Sequence, residues 1–208
     1  MKKFKIGKFT IGTSKDPFII AEAGVNHNGS ITIGKKMIDV AAKVGANAIK
    51  FQSFITDEII LEKAPKSTYH KRTTGSDKQL SWYEMLKTQE MDSKMHLELL
   101  RHCKKKKIIF LSTPYDEKSA DYLEKIGIKA FKIASTDNNN IKLLSHIAKK
   151  KIPMILSAGM INMKTLGQSV KEIKRNSNYN IAILQCTSNY PCNENDVNLQ
   201  IIKTFERK

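Results

Sequence analysis

Six apolar runs of β-type residues, each followed by a stretch with helical character, constrain the fold of this 208-residue chain most strongly. The runs span residues 17–22, 47–52, 108–113, 130–135, 153–157 and 181–188. Strands that are apolar almost throughout and alternate with helices are typical of a parallel sheet covered on both faces. The sequence therefore predicts an α/β fold built from βα units.

An open doubly wound sheet and a closed TIM (βα)8-type barrel both satisfy this pattern. The open sheet usually carries a glycine-rich phosphate turn after an early strand, and neither G-x-G-x-x-G nor G-x-x-x-x-G-K-[ST] occurs here. The barrel is therefore favoured, although a complete one has eight units and about 250 residues. Residues 1–208 are interpreted as one incomplete TIM-barrel domain of about six βα units, with a small hairpin at its base in residues 4–11.

Helices are expected at residues 31–44, 82–87, 93–106, 117–126, 141–150, 163–175 and near 197–205. Residues 53–79 form a long polar segment rich in Lys, Thr and Ser. Segments of this kind are often lids or binding loops, and in a barrel this one would lie at the active-site face because it follows a strand.

Basic residues outnumber acidic ones by 36 to 20, which gives a formal net charge of +16. Such a charge suits a nucleic-acid partner, an anionic substrate or a solvated lysine-rich surface. The lysines are scattered over every helical segment, and no basic stripe is interleaved with aromatic residues. A solvated surface and an anionic small substrate are therefore favoured over a nucleic acid.

The cysteines and the apolar pattern predict a cytoplasmic protein. Cys103, Cys186 and Cys192 are odd in number and match no zinc spacing, which indicates a reducing compartment; Cys186 is expected to be a buried thiol in the sixth strand. The basic amino terminus is followed by no long apolar segment, so no signal peptide is predicted. No apolar run approaches the length of a membrane span, so no membrane association is predicted.

The residues at the ends of the six runs are candidates for one shared site. They are Glu22, Lys50, Gln52, Thr113, Lys132, Ser135, Ser157 and Ser188. A parallel barrel gathers the carboxyl ends of its strands at one face, so these side chains are expected to converge although they are far apart in sequence.

The chemistry of these residues points to an anion. A lysine inside an apolar strand is costly to bury unless an anion offsets its charge, so Lys50 and Lys132 predict a phosphate or carboxylate site. A Schiff-base lysine and a structural ion pair are open alternatives. The hydroxyl groups suit the same anion or cap helices. Glu22 ends an apolar run, which favours proton transfer or an ion pair to a strand lysine.

The histidines are less informative. His27 follows Glu22 closely, and metal ligation, acid–base chemistry and a hydrogen bond to the backbone are all open for it. His96, His102 and His146 fall on predicted helices and are interpreted as surface residues. The histidines show no recognisable metal spacing.

The strand-end motifs together resemble a known family. IAEAGVNHNG spans residues 20–29, and IKFQ (49–52), LSTPY (111–115), FKIAS (131–135), ILSAGM (155–160) and QCTSNYP (185–191) follow. Six such motifs in this order resemble the sialic acid synthases, the N-acetylneuraminate synthase family. The resemblance spans essentially the whole chain.

The resemblance implies a reaction, a cofactor and an assembly. The family condenses phosphoenolpyruvate with an N-acetylated sugar, such as N-acetylmannosamine or a diacetamido-trideoxy hexose, to a nine-carbon 2-keto acid, and phosphate leaves. It uses a divalent metal, Mn²⁺ or Mg²⁺. Its members are homodimers in which a TIM barrel precedes a small antifreeze-like domain.

The resemblance also implies roles for matching residues. Glu22 would contact the reacting end of the sugar and handle a proton. The enolpyruvate carboxylate would be held by Lys50, Thr113 and Ser135. The phosphate would be held by Lys132, Ser157 and Ser188. The sugar pocket would be lined by Gln52, Asp137 and Tyr190.

Two departures from the family pattern bear on activity. The family's two metal-ligand histidines lie in motifs after the sixth strand, so no residue of this chain is assigned to the metal. The last two βα units and the antifreeze-like domain are expected to be absent as well. The alternatives are an inactive fragment or assembly subunit that needs a complementary C-terminal chain, and another phosphoenolpyruvate-condensing sugar-acid synthase.

Overall fold

The computed structural model describes residues 3–12, 16–68, 70–71, 80–176, 178, 180–189 and 191–207. An antiparallel hairpin of β1 (Phe4–Ile6) and β2 (Phe9–Ile11) opens the chain. A six-stranded parallel sheet follows, with its strands side by side in sequence order. Its strands are β3 (Ile20–Gly24), β4 (Ala48–Ser53), β5 (Ile109–Pro114), β6 (Phe131–Ile133), β7 (Met154–Ser157) and β8 (Ile181–Leu184). The predicted α/β fold, an incomplete TIM-type barrel with six strands, is confirmed.

Helices connect the strands. They are α1 (Ile31–Lys43), α2 (Thr56–Ile59), α3 (Trp82–Gln89), α4 (Ser93–Lys105), α5 (Glu117–Lys125), α6 (Ile141–Lys149), α7 (Met163–Arg175) and α8 (Ile201–Arg207). A 3-10 turn at Glu194–Asp196 precedes α8, so the last helix begins four residues later than predicted. Asn193 caps this turn by accepting a hydrogen bond from the Asn195 N–H.

Short polar side chains set the helix starts. Ser30 Oγ accepts from the Ile33 N–H at 3.3 Å, and Asn162 Oδ1 accepts from the Thr165 N–H at 2.9 Å. Helix α3 starts with a reciprocal capping box between Ser81 and Glu84. Gly45 follows α1 with φ +82°, a left-handed conformation that glycine adopts at little cost, so the helix ends where the sequence predicts.

The two faces of the sheet pack differently. Outward residues such as Phe51, Phe110 and Phe131 join the main core under the helices, and the Phe51 and Phe110 rings stack at 5.5 Å. At the amino-terminal ends of the strands, the inner face carries a separate apolar cluster into which Phe4 and Ile6 insert. The predicted hairpin therefore closes the base of the sheet.

Two strands end earlier than predicted. Strand β6 ends at Ile133 and β8 at Leu184, so Ser135 and Ser188 lie on the loops that follow. A turn closed by the Asp137 N–H on the Ala134 carbonyl ends β6. After β8 the chain leaves the sheet, and the Gln185 side chain bonds the Val197 carbonyl instead.

The segment 53–79 is described only in part. It contains helix α2, and residues 69 and 72–79 lie outside the described residues. Its interpretation as a lid stays a prediction. In the described part of the chain, none of the helices combines the length and apolar character needed to cross a membrane.

The interpretation of His96 as a surface residue is wrong. His96 is buried between α4 and the sheet, where its Nε2 lies 2.7 Å from Ser53 Oγ and its Nδ1 lies 2.8 Å from the Asp92 carbonyl. Ser53 Oγ also lies 2.7 Å from Ser112 Oγ. This buried polar group is fully hydrogen-bonded, so a histidine that a helical pattern places at the surface packs inside.

Candidate active site

The inner face of the sheet changes from apolar to polar along each strand. Because side chains alternate between faces, residues two apart share a face. Ala48 is therefore followed on the inner face by Lys50 and Gln52, and Ile155 by Ser157. The candidate site is the polar, carboxyl-terminal end of this face.

An ion pair joins the first two strands at this end. Glu22 and Lys50 are partners in the register of β3 and β4, and Lys50 Nζ lies 2.6 Å from Glu22 Oε1. The Lys50 side chain is 7% exposed whereas that of Glu22 is 59% exposed. The pair therefore has a fixed, buried cation and a carboxylate that reaches into the open mouth of the site.

Gln52 and Thr113 continue the site along β4 and β5. They are partners in the strand register, and Thr113 is almost fully buried. Gly24 turns at φ +56° beside this group, where an added Cβ would lie 3.3 Å from Glu22 Oε1 and 3.9 Å from Gln52 Nε2. The absence of a side chain at Gly24 keeps this space open.

Lys132 is the second buried cation. Its Nζ donates to the Ile133 carbonyl at 2.9 Å and to Ser157 Oγ. Burial is the main cause that lowers its pKa to about 8; the negative charge that Cys186 and Glu22 can carry opposes the shift, and Lys50 adds to it. At pH 7 about ten of these amines are protonated for each neutral one, because the pH lies about one unit below the pKa.

Ser135 and Ser188 meet across Gly159. A Cβ added at Gly159 would lie 2.7 Å from both Ser135 Oγ and Ser188 Oγ, and 3.2 Å from the Cys186 carbonyl. Only glycine lets the two hydroxyl groups approach the main chain this closely. The loops after β6 and β8 therefore bring two hydroxyl groups together at Gly159, two residues after Ser157, whose own hydroxyl group contacts Lys132.

For Asp137 the described hydrogen bonds are local ones rather than contacts with this cluster. Asp137 makes local hydrogen bonds to Thr136 and Asn140, and burial raises its pKa above the usual range for an aspartate. Tyr190 lies outside the described residues. The expected burial of Cys186 in a strand is wrong, because β8 ends before it and its side chain is only half-buried.

Asn138 is a site residue that the sequence did not reveal. It is buried behind the site, and its Nδ2 donates to the carbonyls of Ser157 at 3.1 Å and Gly159 at 2.7 Å. Asn138 stands in an Asn-Asn-Asn run just before a helix, where asparagine usually indicates an N-cap, and Asn140 is that cap. The capping pattern therefore accounts for Asn140 and gives no separate signal for Asn138.

His27 faces away from the polar cluster. Its ring is fully buried 6.0 Å from the Phe51 ring on the helix side of the sheet, and its Nδ1 accepts from the Gly29 N–H at 3.1 Å. Burial, with a smaller contribution from His96, lowers its pKa to about 4. Of the three interpretations of His27, the structure favours the loop histidine bonded to backbone.

Among the described residues, no group of three or more His, Cys, Asp or Glu side chains is arranged to hold a metal ion. Glu22 is the acidic side chain within reach of both lysine ammonium groups, through the pair with Lys50 and the electrostatic effect on Lys132. Lys50 and Lys132 supply ammonium groups and the serines supply hydroxyl groups, a set of donors that suits an anion.

Known proteins match this chain over most of its length. The model of the NeuB family matches residues 37–208. The N,N'-diacetyllegionaminic acid synthase of Campylobacter jejuni is 42% identical over 194 residues, which cover 92% of this chain and 58% of that protein. The human N-acetylneuraminate-9-phosphate synthase is 34% identical over 95% of this chain and 54% of its own length.

A solved structure shows the same arrangement. The N-acetylneuraminic acid synthetase of Leptospira borgpetersenii, in complex with citrate, superposes with a TM-score of 0.84 and 34% identity. The match covers 99% of this chain and 66% of that one. This chain spans about half the length of the curated relatives it matches.

Proposed function

The chain belongs to the NeuB family, and we propose that it carries the anion-binding part of a synthase that joins phosphoenolpyruvate to an N-acetylated amino sugar. The observation that carries the proposal is the cluster of Lys50, Lys132 and converging hydroxyl groups at one end of the sheet. The names of the relatives from C. jejuni and human support the reaction class, because both are synthases of nine-carbon acidic sugars.

The phosphate would bind at Lys132, Ser157 and Ser188. Lys132 already donates to Ser157 Oγ, so an arriving phosphate oxygen can replace or share that contact. Burial weakens the competition from water, and a charge-assisted hydrogen bond in such a place is stronger than at the surface. The lowered pKa of Lys132 still leaves it mostly protonated at neutral pH, as anion binding requires.

The carboxylate of the enolpyruvate would bind at Lys50, Thr113 and Ser135. The Lys50 ammonium has three donors, so it can hold both Glu22 and a substrate carboxylate. The two cations then divide the trianionic substrate between them, with the enol carbon between the carboxylate and the phosphate. Gln52, Asp137 and Tyr190 are proposed to line the sugar pocket beyond this point.

Glu22 is proposed to handle the proton. In the overall reaction C3 of the enolpyruvate forms a bond to the sugar aldehyde carbon, water adds to C2, and the bond from C2 to the phosphate oxygen breaks. The water oxygen becomes the C2 keto oxygen and gives up both of its protons, one to the aldehyde oxygen and one to the departing phosphate, so the overall reaction balances. The exposure of the Glu22 carboxylate and its ion pair with Lys50 support this role, because an exposed and oriented carboxylate can exchange a proton with an entering aldehyde.

The divalent metal implied by the resemblance has no ligand set among the described residues. Such an ion would polarise the aldehyde oxygen as a Lewis acid when bound. Manganese or magnesium dependence stays a prediction, as do the cytoplasmic location and the homodimer. The identity of the acceptor sugar is likewise a prediction between N-acetylmannosamine and a diacetamido-trideoxy hexose.

Ligand titration tests the proposal. The 208-residue chain is titrated calorimetrically with phosphoenolpyruvate, inorganic phosphate and pyruvate, each of the last two carrying one of the two anionic groups. Saturable binding of phosphoenolpyruvate that is tighter than that of either partial ligand is the expected result. Equal affinity for phosphoenolpyruvate and phosphate would contradict the proposed carboxylate site. The absence of binding by all three ligands would contradict the whole proposal.

A second candidate is an assembly subunit that pairs with a chain carrying the remaining barrel strands. The sheet edges favour it: β3 and β8 stand at the two edges of the described sheet, and a closed barrel would join them through two more strands. Mixing this chain with the carboxyl-terminal part of the C. jejuni relative tests it. Phosphate release from phosphoenolpyruvate and sugar by the mixture, but by neither part alone, is the expected result for this candidate.

A further inference from the structure

We propose that Asn138 positions the phosphate half of the site by holding two main-chain carbonyl groups in the turn after β7 away from the bound anion. The inference rests on the proposed function, because it takes Lys132, Ser157 and Ser188 to face a phosphate. Asn138 would not touch the substrate. It would act through the main chain of residues 157–159.

Both N–H groups of the Asn138 amide have a partner. Nδ2 donates to the Ser157 carbonyl at 3.1 Å and to the Gly159 carbonyl at 2.7 Å, and the residue is 1% exposed. Asn138 lies on the loop after β6, so its side chain ties that loop to the turn after the neighbouring strand. One buried amide thereby fixes the direction of two carbonyl groups two residues apart.

The turn after β7 needs such a hold. Gly159 packs against the hydroxyl groups of Ser135 and Ser188, and Met160 follows with φ +57°, a left-handed conformation that is unusual for a residue with a side chain. If the carbonyl of Gly159 rotated toward the hydroxyl groups, its oxygen would compete with the anion for their protons and would repel its charge. Asn138 prevents this because it keeps that oxygen bonded on the far side.

Among side chains of the size of aspartate, only the amide of asparagine supplies two N–H donors for the two carbonyl groups. Asn138→Asp keeps the shape but replaces the Nδ2 donor with a second acceptor, which would face two carbonyl oxygens. The expected result is a turn that moves, and a phosphate site that loses its alignment while Lys132 and the hydroxyl groups remain present.

The chain contains a matched control. Asn178 is 2% exposed, and its Nδ2 donates to the Ile152 carbonyl at 2.8 Å. It stands at the amino-terminal end of β7, the opposite end from the site. Asn178→Asp therefore removes the same kind of buried contact, to a carbonyl group two residues before the start of β7, at the end of that strand away from the anion cluster.

The test compares Asn138→Asp and Asn178→Asp in the 208-residue chain. Calorimetric titration with inorganic phosphate and with phosphoenolpyruvate is combined with urea unfolding. Both variants are expected to unfold at lower urea, whereas only Asn138→Asp is expected to bind both ligands about tenfold or more weakly. Asn138→Ala, which removes the donors without adding charge, replaces Asn138→Asp if that variant does not fold. An equal change of affinity in the two Asn variants, or no change in either, overturns the proposal.

Amide hydrogen exchange separates this proposal from the proposed function. The Ala158 N–H donates to the Leu184 carbonyl at 2.9 Å, so its exchange reports on the turn without any ligand. If the unmodified chain binds neither ligand, the proposed function fails. Faster exchange at residues 158–160 in Asn138→Asp but not in Asn178→Asp then still supports the holding role of Asn138, and unchanged exchange overturns it.

Discussion

The two ends of the inner face of the sheet are formed by the same strands but differ in character. One end packs as an apolar cluster, and the other carries the candidate site. At the amino-terminal end Ala48, Leu111, Ala130 and Ile155 pack with the hairpin into a dry cluster. Two residues further along the same strands stand Lys50, Thr113, Lys132 and Ser157. A step of about 7 Å along a strand thus separates packing from chemistry. Across the sheet, however, Lys50 is the register partner of Leu111 and Lys132 that of Ile155, so the hairpin residues Phe4 and Ile6 are the better place to alter packing alone.

The largest effect is expected at the apolar end. Ile6→Ala should lower the free energy of unfolding by about 2–5 kcal/mol, because it leaves a cavity in a buried apolar cluster. Urea unfolding measures the loss, and phosphoenolpyruvate affinity of the folded fraction should stay unchanged. Leu199→Ala, at a leucine that is largely exposed, is the control and should cost less than about 0.5 kcal/mol. A large loss of affinity in Ile6→Ala would contradict the separation of the hairpin end from the polar end.

The next effect is expected at the polar end, where ligand binding should weaken while stability is kept. Lys132→Met should weaken phosphate binding by about 1.5–3 kcal/mol, because a charged hydrogen-bond donor is lost. Its free energy of unfolding should be unchanged or higher, because a buried charge is replaced by an apolar chain of similar length. Calorimetry and urea unfolding check the two parts. Lys142→Met, at a lysine that is 85% exposed, should change neither quantity.

The third prediction concerns the close packing at Gly159, in the polar cluster. Gly159→Ala should weaken phosphate binding and cost about 1–3 kcal/mol of stability, because the added Cβ would overlap the Ser135 and Ser188 hydroxyl groups. Gly167→Ala is the matched control. Gly167 lies in α7 with no atom within 4 Å of an added Cβ, so the change should stabilise the chain by about 0.5–1 kcal/mol. Identical behaviour of the two variants would contradict the close packing at Gly159.

The smallest effect is a pH dependence that belongs to Lys132. Its pKa is lowered to about 8, so the affinity for phosphoenolpyruvate should fall as the pH rises through about 8, whereas a phosphate ester completes its own ionisation near pH 6. Stability should change the other way. Between about pH 8 and 10.5 the unfolded chain holds a proton that the folded chain has lost, so this group makes unfolding harder as the pH rises. Both trends should be absent in Lys132→Met, and their persistence there would assign them to another group.

The sequence predicted the fold because the fold follows from local patterns. Apolar runs identified the six strands, and short polar residues identified the helix starts. Glu22 and Lys50 were identified because a charge in an apolar strand is conspicuous. Their pairing was one of the interpretations left open, and the strand register decides it.

The sequence did not reveal what depends on three-dimensional packing. The burial of His96 depends on Ser53 and Ser112, which belong to two other elements, so a helical pattern alone could not show it. The role of Asn138 depends on carbonyl groups in the next βα unit. The convergence of Ser135 and Ser188 on Gly159 takes place in loops, after the strands that were used to predict it have ended.

The most direct test of the separation between the hairpin end and the polar end is a titration of the isotope-labelled chain with phosphoenolpyruvate. The backbone amide chemical shifts are measured at each step of the titration. We expect saturable changes of amide chemical shift at the strand ends, around Lys50, Thr113, Lys132 and Gly159. No such change is expected in the hairpin of β1 and β2. Saturable shifts centred on the hairpin or on the outer helix surfaces, with the strand ends unchanged, would contradict this separation.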